Sequence, residues 1–149
     1  MTKFKPRPML RHPWLIGGVS LLFHGVAAAD HAASMAGGEA YMRASGMTAE
    51  QVTYFAGLPP WAVLAWTVSV WAGLLGSLCL MARPSLAAGL LLAATAGTGG
   101  YVIWTFVLSD GVAALGAMWF MPLVVGSATL TLAAYARRTM STRTRAAPF

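Results

Sequence analysis

Residues 14–36, WLIGGVSLLFHGVAAADHAASMA, decide how the remainder of the chain is read. An apolar run of about 20 residues is long enough to cross the hydrocarbon core of a bilayer as a helix. This run carries His24 in its interior and Asp30-His31 toward its far end. It is expected to be the first of four transmembrane helices and the one holding most of the polar chemistry. A cleavable signal peptide is the rival reading. Basic residues precede an apolar core at 14–26, and Ala27-Ala28-Ala29 supplies small residues before Asp30. Apolar character persists through 32–36, which favours an uncleaved helix.

Working outward, the composition supports lipid as part of the solvent. Of 149 residues, 58% are apolar and 9% charged, whereas a soluble domain carries about 25% charged residues. Such a chain cannot cover its surface with polar groups. The net charge of +6 could suggest nucleic acid, but its placement argues against that partner. The charge sits at the two ends, in Lys3, Lys5, Arg7 and Arg11 before the first span and Arg137, Arg138, Arg143 and Arg145 after the last. Basic ends flanking apolar spans set topology and favour anionic headgroups. Cys79 is the only cysteine, so an internal disulfide and a cysteine-cluster metal site are both excluded.

Residues 1–12 and 137–149 read as basic cytoplasmic tails around a four-helix domain at 13–136. Between the first and second spans lies the one sizeable polar segment, 37–58. Glu39 and Arg43 stand four apart in the favourable acid-first order. Thr48 with Gln51 three later fits a capping box, followed by Val52 and Phe55 at helical spacing. The spacing predicts a short amphipathic helix over 48–56, its apolar side against membrane or bundle, ended by Gly57 and Pro59-Pro60. Residues 61–82, 86–108 and 112–136 are further uncharged spans. Arg83-Pro84 and Ser109-Asp110-Gly111 turn the chain between them, and Pro122 is expected to kink the last. The fold class is therefore all-α, a four-span membrane protein. With both termini inside, nine basic residues lie inside and only Arg43 outside, which sets the orientation as N-in/C-in.

Small residues recur at four-residue spacing within the spans: Ala72 with Gly76, Ala93 with Gly97, Ala96 with Gly100. Close backbone approach replaces hydrophobic collapse as the packing force in lipid, so Gly76, Ala93, Gly97 and Gly100 are helix-packing candidates. The run Gly97-Thr98-Gly99-Gly100 marks either close packing or a local break.

His24 stands ten residues into its helix, about 15 Å along it and so near mid-bilayer. A histidine there must face protein or water and is a ligand or proton candidate. The competing structural reading is a neutral imidazole bonded to a hydroxyl or carbonyl of a neighbouring helix. His31 shares its face but lies about 10 Å away, too far for one metal ion to touch both. Asp30 reads either as a solvated carboxylate paired with His31 or Arg43, or as the acid of an entry cavity open to the outer side. Glu39 in the loop above and Tyr101 in the third span complete the candidates. No catalytic, cofactor or metal motif is present, so no enzyme activity and no cofactor are expected.

The run from Asp30 to Glu39-Ala40-Tyr41, Glu50-Gln51 to Tyr54-Phe55, Leu58-Pro59 with Trp61, Trp71 to Gly76, Ser109-Asp110-Gly111 and Tyr135-Ala136-Arg137 resembles one family over roughly 13–138. That family is a group of small four-helix proteobacterial inner-membrane proteins, mostly uncharacterised and sometimes loosely labelled sugar transporters. The resemblance implies the bacterial inner membrane and transport. In that group an amide often stands where His24 stands here. The leading expectation is a non-enzymatic accessory or scaffold subunit, as a homo-oligomer or within a larger membrane complex. A small-solute, sugar-like transporter and a quinone- or haem-associated redox protein are the alternatives.

Overall fold

The computed structural model describes residues 11–145, and every element among them is helical. The expected N-terminal tail lies largely outside these residues, as does the last part, 146–149, of the expected C-terminal one. Helix α1 (Arg11–Ala44) runs past the expected end at Ala36 and turns at Gly38, whose φ of 53° and ψ of −143° are not helical. Only glycine takes that conformation without strain. Helix α2 (Ala49–Ala56) starts on the expected capping box: the Thr48 side chain accepts from the Gln51 amide, and the Gln51 side chain accepts from the Thr48 amide. Helix α3 (Pro60–Ala82) turns at Arg83 into α4 (Pro84–Ile103), which widens into a π turn (Trp104–Leu108). Ser109 Oγ donates to the Trp104 carbonyl at 2.8 Å and closes that turn. The glycine-rich run Gly97-Thr98-Gly99-Gly100 stays helical, so of its two readings close packing holds.

The last expected span is broken. Helix α5 (Gly111–Leu115) and a 3₁₀ turn (Gly116–Met118) precede α6 (Met121–Arg145), with a bend of 78° between the two parts. Gly116 makes the break with a φ of 56°. Pro122 does not kink a continuous helix as expected. It sits in the first turn of α6, where a missing N–H costs nothing, and the Phe120 carbonyl takes the amides of Leu123 and Val124. Helix α6 also runs beyond Ala136 to Arg145, into the segment expected to be tail.

Three helices are long and apolar enough to cross a membrane, and a fourth if the bent pair is taken as one span. Helix α1 packs chiefly on α3, α3 on α4, and α4 on α6, while α2 rests on α1 and α5. The polarity of α1 is inverted relative to a soluble helix. Its buried side is Ser20, His24, Ala28, His31 and Ser34, and its exposed side includes Trp14, Leu15, Val19, Leu22 and Val26. That pattern suits an apolar solvent.

Small residues let α3 and α4 approach. A Cβ on Gly97 would stand 2.6 Å from the Ala65 carbonyl oxygen, one on Gly76 2.8 Å from Leu91, and one on Gly100 3.2 Å from Ala65. Ala93 is a correction: it is exposed, and its neighbour Ala94 is the residue buried at the interface. A helix turns 100° per residue, so a one-position error moves a side chain from partner to solvent.

Candidate functional site

A cavity of about 670 Å³ lies between α1, α3, α4 and the start of α6, under the loop that leads into α2. Its size falls in the range of small-molecule sites, roughly 300–1,000 Å³. Exposed Ser45, Gly46 and Thr48 stand at its mouth, and buried His24, Ser69, Thr98 and Tyr101 line its interior.

Helix α1 delivers His24 to the α1–α3 interface, where Gly73 leaves room for it. A Cβ on Gly73 would collide with the imidazole ring. His24 Nδ1 lies 2.9 Å from the Ser20 carbonyl and 3.1 Å from Ser77 Oγ. A carbonyl oxygen can only accept, so Nδ1 carries the proton. In the neutral ring Nε2 then bears a lone pair. It is buried and has no hydrogen-bond partner. One nitrogen of His24 is thus bonded within the protein, and the other is packed against Gly73 without a hydrogen-bond partner.

The hydroxyls around it form two ladders. Ser77 donates to the Gly73 carbonyl at 2.8 Å, which leaves Ser20 to donate to Ser77 at 2.6 Å. Thr98 donates to the Ala94 carbonyl at 3.0 Å, which leaves Ser69 to donate to Thr98 at 2.6 Å. Each hydroxyl has one proton, and all four are spent inside the protein.

Asp30 lines the cavity nearer the mouth. Its partner is neither His31 nor Arg43, as expected, but Tyr41, whose hydroxyl donates to Oδ1 at 2.9 Å. The turn at Gly38 brings Tyr41 back onto Asp30. That hydrogen bond holds the Tyr41 phenol above its ordinary pKa, because ionising would break it and set two negative charges together.

His31 is structural in its contacts. It is buried and bonded to Thr67 Oγ1 at 3.1 Å, and its ring meets Trp66 edge-on at 4.7 Å. Glu39 lies on the surface in a 3.0 Å ion pair with Arg43, outside the cavity. Tyr101 is buried in the cavity wall. The structure therefore brings together His24, Asp30 and Tyr101, and excludes Glu39 and His31 from the same space.

Sequence reasoning missed Ser20, Ser69, Gly73, Ser77, Thr98 and Trp66. The four-residue spacing of Ser20 to His24 and of Gly73 to Ser77 was the available signal, since each pair shares a helix face. Among the described residues no group of His, Cys, Asp and Glu is arranged to hold a metal ion. The chain matches no family model, no curated protein and no solved structure.

Proposed function

We propose that this is a four-span protein of the bacterial inner membrane, both termini cytoplasmic, that holds a small molecule in the cavity between α1, α3, α4 and α6. Nine of ten basic residues then lie inside, as the basic bias requires, and the cavity mouth faces outward. The reading is non-enzymatic and is the small-solute alternative rather than the scaffold. One observation carries it: a cavity of about 670 Å³ lies between the helices, lined by His24, Asp30, Ser69, Thr98 and Tyr101. A purely packing interior closes such a space, because walls around a void lose their contact partners. Four helices enclose little space, so the protein acts as a homo-oligomer or within a larger membrane complex.

The test is purification in mild detergent followed by mass spectrometry of retained small molecules. Wild type should carry one species that Ala27→Phe loses, because Ala27 lines the cavity and a phenyl ring there fills it. A wild-type protein that retains nothing, or a species kept equally by Ala27→Phe, would sink the reading.

A further inference from the structure

The hydrogen-bond directions at the cavity wall specify its occupant more closely. On the reading that the cavity holds a small molecule, we propose that the molecule is an organic ammonium, a primary or secondary amine cation on a compact apolar body.

The wall offers acceptors and has few donors. Ser69 and Thr98 spend their protons on one another and on the Ala94 carbonyl, and so face the cavity as oxygen lone pairs. Ser45 donates to the Met42 carbonyl. One Gln51 amide proton goes to the Leu115 carbonyl at 3.2 Å. The donors left are the Tyr101 hydroxyl, the Trp66 indole and the second Gln51 amide proton. Against these stand the Ser69 and Thr98 lone pairs and the Asp30 carboxylate, whose one hydrogen-bond partner among the described residues is Tyr41.

Charge points the same way. Asp30 is the one acid or base of fixed charge in the lining, and no Lys or Arg joins it. Phe23, Phe55, Trp66 and Tyr101 supply aromatic surface around it, which attracts cations through the ring quadrupole. Asp30 and His24 stand six residues apart on α1, about 9 Å along the axis. The ammonium pairs with Asp30 near the mouth, and the apolar body lies against the aromatic wall. A quinone offers carbonyl acceptors to a wall already rich in acceptors. A sugar brings as many acceptors as donors. An amine cation brings donors alone.

The experiment uses calorimetric titration of the full chain in lipid nanodiscs with four matched probes. These are 2-phenylethylammonium, its N-trimethylated analogue, 2-phenylethanol and phenylacetate. The ammonium should bind about tenfold or more tightly than the alcohol and the carboxylate, the scale of a charge-assisted hydrogen bond. Asp30→Asn should abolish that preference and Asp30→Glu should keep it. The primary amine should bind more tightly than the trimethylated one, because only its N–H groups can donate to Asp30. Equal or tighter binding of the alcohol or carboxylate to wild type overturns the ammonium assignment while leaving the cavity reading intact. A preference that survives Asp30→Asn also overturns it, by removing Asp30 as the partner. Wild type that binds no probe but copurifies with a neutral or anionic molecule overturns the assignment alone. Wild type that binds no probe and retains no molecule overturns the cavity reading with it.

Discussion

At residue scale, Gly73 is the hole into which His24 fits. Gly73→Ala places a methyl group in the imidazole and should cost about 1–3 kcal/mol, the usual penalty for overpacking. Gly25→Ala is the control, because nothing lies within 4 Å of a Cβ there. It should be neutral or stabilising by about 0.5–1 kcal/mol, the helix advantage of alanine over glycine. Thermal unfolding in detergent compares the two, and equal losses would mean that His24 does not sit on Gly73. His24→Asn should fold normally, because an amide can still donate to the Ser20 carbonyl and Ser77. His24→Leu should loosen the bundle by roughly 0.6–2 kcal/mol, the scale of interhelical hydrogen bonds in membranes. His24, Asp30 and Tyr101 were legible in the sequence because polar groups stand out in apolar spans. Ser69 and Thr98 were not, because serine and threonine are common inside spans and only helix pairing shows which meet. Glu39 looked equivalent to Asp30, but the turn at Gly38 separates them.

At the scale of elements, α2 and the α5–α6 break are the parts with sharp chemistry. Thr48→Ala removes the cap of α2 and should weaken its start by about 1 kcal/mol. Hydrogen exchange of amides 51–56 would register the loss. The Glu50 carboxyl is held below the ordinary carboxylate range by its own backbone N–H and by the Thr48 hydroxyl. A lowered folded pKa means a stabilisation that is fully present above the unfolded value and fades as pH falls through the folded one. Exchange protection of α2 should therefore drop on acidification below the usual glutamate range, and Glu50→Gln should remove that drop. Gly116, at a φ of 56° and ψ of −127°, should tolerate alanine poorly, at about 1–3 kcal/mol of strain. Spin labels at Ala113 and Thr131 would show the 78° bend relaxing in Gly116→Ala. An unchanged distance at unchanged stability would contradict the strain argument. The capping box was legible because it is local, three residues apart. The break was not, because 112–136 is uncharged throughout and the expected irregularity was a kink at Pro122, whereas the chain breaks at Gly116.

At the scale of the molecule, the all-helical architecture and the long apolar helices were legible from composition and length alone. The order α1, α3, α4, α6 of helix packing was not, because small-residue motifs occur on several faces and do not name their partners. Topology and cavity make one joint claim, that the polar interior opens outward between the walls formed by α1 and α6. It is tested by cysteine labelling of intact cells with a small membrane-impermeant thiol reagent, on a Cys79→Ser background. Ser69 lines the cavity and is buried. Leu64 is five residues nearer the start of α3 but is 63% exposed on its outer surface, where lipid would cover it. Reagent added outside should modify Ser69→Cys, at a rate slowed by a cavity ligand, and should leave Leu64→Cys untouched despite its shallower position. Modification of Leu64→Cys alone, or of Ser69→Cys only after the cytoplasmic side is exposed, would contradict the account.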